Sequence, residues 1–345
     1  MARRKRKGGR RGGSFAAGFL LFLLLIGGVA AGAAWLVLTP YGPTAETFVT
    51  IAPGSTATAI ARKLEAAGIV RTRYAFDLVR VWHRTKLQAG TYRFDHPLPV
   101  TDVYFQIARG EVYTKSLTVP EGSNIFDIAV RVEEAGLGTR QDFLSAAVHQ
   151  SGLIADLDPK AASLEGYLFP DTYRFPPSAT PAQIAAAMVR RFRQVATQEG
   201  LTENVRRVVT LASLIERESA VDSERPLVAS VFQNRLQKKM ALKTDPSLIY
   251  GLELIGKWRG TIYASDLARD TPYNTYLHAG LPPGPIANPG MASLRAALSP
   301  AKTTYLYFVA AGVNAQGHSL FSSTLDEHNR NVAEYRAAQK KAGER

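Results

Sequence analysis

One uncharged run near the N-terminus constrains the fold of this chain more than any other feature of its sequence. It extends over 24 residues, from Phe15 to Leu38, and consists mostly of Leu, Ala, Gly and Val. About 20 apolar residues suffice to span a bilayer as a helix. Seven Lys and Arg residues precede the run within positions 1–11. Because basic flanks stay in the cytoplasm, the sequence predicts a cytoplasmic tail over 1–14, a transmembrane helix over 15–38 and an exported remainder.

A cleaved signal peptide is the alternative to a retained membrane anchor. The small residues from Ala30 to Ala34 keep that alternative open, but the run is longer than a usual signal-peptide core, so we favour the anchor. The basic cluster also has the composition of a nucleic-acid-binding arm. Its position directly before an apolar span favours a role in membrane topology, and we predict no nucleic-acid partner.

The charge and residue content of the chain exclude several classes of function. The formal net charge is +13, of which the N-terminal tail supplies seven and the rest of the chain six. A basic body suits an anionic partner such as a lipid headgroup, a nucleic acid or a cell-wall polymer. Cysteine is absent, which excludes thiol catalysis and thiolate metal sites. His278, His318 and His328 lack metal-ligand spacing, and phosphate-binding glycine motifs are missing, so we predict no metal and no cofactor.

Beyond the apolar run, the pattern of turns and apolar residues predicts two folded parts. A Pro-containing linker covers 39–48, and a small subdomain of strand–helix–helix–strand order follows over 49–115. A larger domain of helices and short strands covers 116–338, and a polar, frayed tail covers 339–345. The predicted fold class is therefore α+β: one N-terminal transmembrane helix, a small α/β subdomain and a mixed α+β domain.

A strand, a Gly-Ser turn and a helix recur in the same order at two places. Residues 49–70 read VTIAPGSTATAIARKLEAAGIV and residues 117–138 read LTVPEGSNIFDIAVRVEEAGLG, an offset of 68 residues. Strand–turn–helix units converge on Pro, Gly and Ser for reasons of turn geometry alone. The match continues through apolar helix positions such as Ile60 and Ile128, so we favour a true internal repeat.

One carboxylate is unusual within the predicted helix VRRVVTLASLIERESA at 205–220. Glu218 lies four residues after Leu214 and continues its apolar stripe, because residues three and four apart share a helix face. A buried carboxyl group has a raised pKa and can donate a proton near neutral pH. Burial of Glu218 in an ion pair with Arg225 or Arg235 is the alternative.

The neighbouring Glu216 is expected to play a different part. It lies two residues from Glu218, about 200° around the helix, so the two carboxylates face away from each other. We expect Glu216 to be solvated or paired with Arg217, Arg190 or Arg191. The helix therefore supplies one candidate acid and not a pair.

Several long motifs are spread over nearly the whole chain after the apolar run. They are AGTYRF (89–94), EGYLFPDTY (165–173), LASLIERESA (211–220), VASVFQNRL (228–236), LKTDPSLIYG (242–251), YNTYLHAGLPPGPIANPG (273–290), AALSPAKTTYLYFVA (296–310) and HSLFSSTLDEHN (318–329). Together these segments resemble the endolytic murein transglycosylases of the MltG or YceG-like family. The Glu-Ser pair at Glu218 also resembles the signature of lysozyme-like transglycosylases.

The resemblance implies an enzyme that cuts peptidoglycan glycan strands internally. Members of this family are lytic transglycosylases, which break the β-1,4 bond between MurNAc and GlcNAc and leave 1,6-anhydro-MurNAc ends. Their catalytic glutamate corresponds to Glu218, which first donates a proton and then removes one from the substrate. The family also implies action on nascent strands at the inner (plasma) membrane, with a periplasmic catalytic domain over 116–338 that terminates strand elongation.

The small subdomain over 49–115 resembles LysM modules in the order of its elements. LysM modules bind GlcNAc-containing glycans, so the resemblance implies that this subdomain guides strands, and a spacer role is the alternative. For the whole chain, the alternative is a non-enzymatic, membrane-anchored scaffold that binds peptidoglycan and recruits wall synthases. Penicillin-binding proteins are candidate partners in either case. A desolvated acid such as Glu218 gives a pure binder no advantage, which favours the enzyme.

Six further residues are candidates for substrate binding: Asn234, Arg235, Asp245, Tyr273, Asn274 and Tyr276. Asp245 precedes a proline at a predicted helix start, where a capping role is the alternative. Asn234 and Arg235 are equally suited to buried structural contacts. The other three lie in a Gly/Pro-rich loop over 270–290, where they could contact sugar rings. Asp171 is the best candidate for a second carboxylate, although a turn role is favoured for it.

Overall fold

The computed structural model describes residues 12–312 and 317–343, so the predicted basic tail lies mostly outside the described residues. Its first helix, α1, covers Gly12–Leu38, and within it Ala17–Leu38 is long and apolar enough to cross a membrane, with a mean hydropathy of 2.4. The rest of the chain contains both helices and short antiparallel strands. A mixed α+β fold with one N-terminal apolar helix, as predicted from the sequence, is therefore confirmed.

The described residues form two compact units, divided between Thr114 and Lys115. After α1, the first unit contains β1 (Thr47–Ile51), α2 (Ala57–Ala66), α3 (Arg73–His83), β2 (Gly90–Phe94) and α4 (Val100–Arg109). β1 pairs antiparallel with β2, and α2, α3 and α4 close a core around buried side chains such as Leu64, Phe76 and Tyr104. The predicted strand–helix–helix–strand order is present in this unit.

The second unit is larger and mainly helical. Its elements are β3 (Lys115–Thr118), α5 (Ile125–Glu134), α6 (Arg140–His149), β4 (Thr172–Phe175), α7 (Pro181–Gln198), α8 (Val205–Glu218), α9 (Arg225–Gln237), α10 (Asp245–Leu254), α11 (Ala264–Leu267), α12 (Met291–Leu298), β5 (Tyr307–Ala310), β6 (Ser319–Ser322) and α13 (Leu325–Gly343). α13 continues through 339–343, a segment expected to be frayed, and 344–345 lie outside the described residues.

The internal repeat extends further than the sequence match. β3, α5, α6 and β4 repeat the order of β1, α2, α3 and β2, and in each copy the first strand pairs antiparallel with the last. A cross-strand pair of threonine hydroxyls recurs at 3.0 Å, between Thr50 and Thr91 in the first copy and between Thr118 and Thr172 in the second. Because the same side-chain contact occurs in both, turn geometry alone does not explain the likeness.

Helix α8 lies at the centre of the second unit and fixes the position of the candidate acid. It packs against α9, α10 and α12, and its buried face includes Val209, Leu211, Leu214 and Ile215. α8 ends at Glu218, because Ser219 adopts an extended conformation. The side chain of Glu218 is thus held by a helix that is packed along most of its length.

Candidate active site

A pocket of about 490 Å³ opens at the C-terminal end of α8. Its walls come from α8, α9, the start of α10, the loop before α12, β5 and α13. Four of the residues singled out from the sequence line it: Glu218, Arg235, Asp245 and Tyr276. Elements far apart in the sequence therefore bring these four side chains to one cleft.

Glu218 is a carboxyl group of this pocket whose pKa lies near neutral pH. Burial raises the pKa of Glu218 to about 7, and the charge of the Asp245 carboxylate acts in the same direction. Arg235 and Arg217 lower the pKa of Glu218, but their effect is smaller than that of burial. At neutral pH a substantial fraction of Glu218 therefore carries the proton that a general acid needs.

The two expected ion-pair partners of Glu218 are engaged elsewhere. Arg225 pairs with Glu216 and Asp222. Arg235 donates from Nε to the carbonyl oxygen of Leu306 at 2.7 Å and from Nη1 to that of Leu242 at 2.6 Å. Arg235 is thus fixed by backbone contacts at the pocket wall, and its charge acts on Glu218 across the pocket.

Asp245 and Tyr276 form a hydrogen-bonded pair in the same pocket. The Tyr276 hydroxyl donates to Asp245 Oδ1 at 2.6 Å. Asp245 is the first residue of α10 and follows the N-cap residue Thr244, so its carboxylate does not take the capping position considered for it. Its charge is instead available to the pocket, close enough to Glu218 to raise the pKa of that group.

His328 is a pocket residue for which the sequence suggested no role, because its spacing does not fit a metal site. Its ring stacks on Tyr307 with centroids 5.1 Å apart and planes 20° apart. Burial lowers the pKa of His328, and the Arg235 guanidinium acts in the same direction, so the ring is neutral near pH 7. Its Nδ1 atom is buried and has no hydrogen-bond partner among the described residues. The helical spacing of His328, Asn329 and Leu325 on α13 is the sequence signal that could have linked them to one surface.

Three of the predicted binding residues do not line this pocket. Asn234 donates from Nδ2 to the carbonyl oxygens of Thr303 and Tyr305, which fixes the segment before β5. Asn274 is fully buried and donates to the backbone carbonyls of Leu267 and Arg269. The ring of Tyr273 packs edge-on against Tyr250, with centroids 5.1 Å apart. The contacts of all three side chains are with the protein.

Asp171, the candidate second carboxylate, also lies away from the pocket walls. Its Oδ2 accepts a hydrogen bond from Nε of Arg191 at 2.8 Å, and its Oδ1 accepts one from the backbone of Thr172 at 2.7 Å. These contacts fix the turn that leads into β4. Asp245 is therefore the carboxylate that accompanies Glu218 in the cleft.

Glu216 faces away from Glu218, but the prediction for the surroundings of its side chain is wrong. Its side chain is 5% exposed, and its two oxygens accept hydrogen bonds from Arg225 and from the backbone N–H of Gly290, each at 2.8 Å. The sequence predicts that Glu216 is solvated or pairs with Arg217 on α8 or with Arg190 or Arg191 on α7. The actual partner begins α9, a contact that only the tertiary fold creates.

Glu165 is another buried carboxyl group, and the sequence did not single it out. Its oxygens accept hydrogen bonds from the backbone of Ile125 and from Nδ2 of Asn288, each at 2.9 Å. Burial raises the pKa of Glu165 to about 8, although hydrogen bonds from the Ile125 backbone and the Tyr250 side chain oppose the shift. The group ties the start of α5 to the loop before α12 and does not line the pocket of Glu218.

Within the described residues, no group of three or more metal-ligating side chains is assembled.

Comparisons with known proteins show which family this chain resembles. The model of the YceG-like family matches residues 49–334. A Bacillus subtilis (strain 168) protein named endolytic murein transglycosylase is 34% identical over 309 residues, which cover 83% of this chain and 84% of that protein. A protein of the same name from Streptococcus pneumoniae (strain D39) is 31% identical over 86% of this chain, which spans 60% of that longer protein.

A solved structure gives the same result. The crystal structure of a YceG-like protein from Listeria monocytogenes aligns with a TM-score of 0.55 and 32% identity, over 84% of this chain and 99% of that one. The family match begins in β1 and ends in α13, and it includes every pocket residue discussed above. The chain therefore belongs to the YceG-like family.

Proposed function

We propose that this lytic transglycosylase cleaves the β-1,4 bond between MurNAc and GlcNAc inside peptidoglycan strands, with Glu218 as its catalytic acid and base. The observation that carries the proposal is the half-buried Glu218 at the end of α8, whose pKa of about 7 lets it exist in both protonation states near neutral pH. A group with this property suits a reaction in which one residue gives a proton and later takes one.

The steps follow from the chemistry of the bond. Protonated Glu218 donates its proton to the GlcNAc oxygen as the bond from the MurNAc anomeric carbon breaks, which leaves an oxocarbenium-like centre. The Glu218 carboxylate then removes the proton from the C6 hydroxyl of the same MurNAc, and that oxygen attacks the anomeric carbon to close the 1,6-anhydro ring. The attacking group is held within the substrate itself, so neither water nor a protein nucleophile is needed. The negative charge of Asp245 would stabilise the cationic centre.

A hydrolytic route is the rival chemistry, and Asp245 is the residue that would support it. In an inverting hydrolase the second carboxylate activates water on the opposite face of the sugar. Asp245 lies in the same pocket as Glu218, whereas Asp171 does not line it. The hydrogen bond from Tyr276 occupies one oxygen of Asp245, which favours an electrostatic role over that of a base.

The reaction products distinguish the two routes. Digestion of purified glycan strands in ¹⁸O-water should give termini that carry no label and weigh one water less than hydrolysis products. These termini should come from cuts within strands, so that long fragments appear before disaccharides. Labelled reducing ends would contradict the single-glutamate mechanism, even if Glu218 proved essential. A hydrolytic muramidase acting on the same strands provides the positive control for labelling.

The first unit is proposed to be a LysM-like glycan-binding module rather than a spacer. A second pocket, of about 600 Å³, lies between the turn after β1 and the segment that joins α3 to β2. Ser55 and Thr85 offer hydroxyl groups there, which suit hydrogen bonds to the hydroxyl groups of a glycan strand. In the rival role, a peptidoglycan-binding scaffold for wall synthases, the protein would bind glycan in this pocket and would not need Glu218.

We propose further that α1 is a retained anchor in the inner membrane, with residues after Leu38 exported. An anchor of this kind would confine the active site to the region where new strands emerge and favour termination of their elongation. Alkaline phosphatase fused at the C-terminus should be active, and green fluorescent protein at the same position should be dark. The opposite pattern would overturn the topology. A phosphatase fusion that lacks residues 1–38 should be inactive and serves as the control.

A further inference from the structure

Helix α3 in the first unit has an apolar face that no other described element covers. Ala75, Phe76 and Val79 are buried in the core of the unit. A different face carries a stripe of exposed side chains, which are Tyr74 at 67%, Leu78 at 49%, Val81 at 56% and Trp82 at 84% of their full accessibility. The spacing of these four residues places them side by side along the helix. A contiguous exposed patch of this type marks an interaction surface.

Cations border this stripe along one side. Arg73 and Arg80 lie seven residues apart, about two helical turns, and Arg84 follows four residues after Arg80, so the three cations form a row adjacent to the stripe. The acidic residue of α3, Asp77, is paired with Arg80 at 3.2 Å. Lys86 follows shortly after the helix and is exposed. The partner of this face must therefore offer both apolar groups and negative charge.

The stripe begins next to the C-terminal end of α1. α1 packs against α3 and α4, and Leu36 and Val37 contact the core of the unit. The Arg71 guanidinium lies over the rings of Trp35 and Tyr41, 4.6 and 4.7 Å from their centroids. α3 starts two residues after Arg71, so the end of the apolar helix and the exposed stripe belong to one local structure. Trp and Tyr at the end of an apolar span are typical of the membrane–water interface.

We propose that the exposed face of α3 docks on the anionic lipid surface of the membrane that α1 enters. Aromatic and aliphatic side chains on one face of a helix, bordered by Arg and Lys, are the features of helices that lie in a bilayer interface. The contact would fix the orientation of the first unit on the bilayer, which a single helix free to rotate cannot do. The inference rests on the proposed membrane insertion of α1, and the test separates the two.

The absence of cysteine makes a direct measurement of depth straightforward. Full-length chains carrying one nitroxide label, at Leu78→Cys or Val81→Cys, are reconstituted in vesicles of phosphatidylcholine and phosphatidylglycerol. Two matched labels complete the set: Ala59→Cys on the exposed side of α2 and Val29→Cys in the middle of α1. Power saturation then gives the accessibility of each label to oxygen, which concentrates in lipid, and to a water-soluble nickel complex.

The labels at Leu78 and Val81 are expected to be several-fold less accessible to nickel than the label at Ala59, with oxygen accessibility raised towards that at Val29. Arg84→Glu/Lys86→Glu, or vesicles of phosphatidylcholine alone, should shift the Leu78 label towards water. Nickel accessibility equal to that at Ala59 would overturn the docking. So would a label shielded from both reagents, because that pattern indicates a protein partner. A water-exposed Val29 label would overturn the anchor itself.

Discussion

Glu218→Gln is expected to reduce the rate of glycan cleavage by roughly 10³-fold, because positioned acid–base groups contribute about 10²–10⁴ to a rate. Gln keeps the shape of the side chain but cannot carry the proton. The uncharged amide also suits the half-buried site, so the fold should be retained, which circular dichroism and the melting temperature would verify. A folded Glu218→Gln protein that cuts strands at near the wild-type rate would remove Glu218 from the mechanism.

Glu216→Gln is the matched control, two residues earlier on the same helix. Its side chain contacts Arg225 and Gly290 and does not line the pocket, so substantial activity should remain. Because the substitution weakens a buried ion pair, the comparison should be made well below the melting temperature of the variant. Equal losses in the two variants would indicate that disturbance of α8, and not loss of the proton, causes the defect.

The pH dependence of cleavage provides an independent check on the role of Glu218. The donor must be protonated, and the pKa of Glu218 is raised to about 7 mainly by burial. The value of kcat/KM should therefore be high below pH 7 and fall about tenfold per pH unit above it. Asp245→Asn removes a negative charge that raises the pKa of Glu218, so the alkaline limb should move to lower pH. An unchanged limb would show that another group controls the profile.

The parts of this site that the sequence could predict are those that depend on one helix. The apolar stripe of α8 identified Glu218, because the 3.6-residue period relates neighbours on one face without any knowledge of the fold. The start of α7 has an equally local cause, because Thr180 and Gln183 form a capping box and Pro181 occupies the first turn. The match between sequence and structure is therefore best where the forces act over a few residues.

The contacts that the sequence could not predict join segments far apart in the chain. Asn274 is a residue type that often binds sugars, yet its side-chain amide donates to the backbone carbonyls of Leu267 and Arg269. The motif at 318–329 contains His328 but does not connect it to Glu218, and the packing of α13 against β5 and β6 brings the His328 ring into the pocket. A polar side chain of this kind can bind either substrate or backbone groups, and the tertiary structure determines which of the two it binds.

Arg225 is the residue whose tertiary contacts we expect to contribute most to the stability of the second unit. Its Nη1 donates to Glu216 Oε1 at 2.8 Å and to Ser293 Oγ at 2.6 Å, and the Arg225 and Glu216 side chains are 8% and 5% exposed. The contacts join α8, α9 and α12 near the C-terminal end of α8. Burial also raises the pKa of Glu121, and the Glu216 carboxylate raises that pKa further. Glu121 is therefore a second carboxyl group close to Glu216.

Arg225→Met should therefore destabilise the second unit by about 3–5 kcal/mol, because it leaves the buried Glu216 carboxylate without its cation. For a unit of this size the melting temperature should fall by roughly 10 °C. Calorimetry of the full chain in detergent measures the change. Arg295→Met is the control, since Arg295 is 59% exposed in its pair with Glu199 and such pairs contribute at most about 1 kcal/mol.

The double variant Arg225→Met/Glu216→Gln decides whether charge is the cause. Removing the carboxylate along with its cation takes away the uncompensated buried charge, so the double variant should melt above Arg225→Met. If the two melt together, the loss comes from the hydrogen bond to Ser293 or from packing, and the ion pair contributes little. Recovery of stability accompanied by recovery of cleavage would mean that the pair also holds the last turn of α8, and with it Glu218, in position for proton transfer.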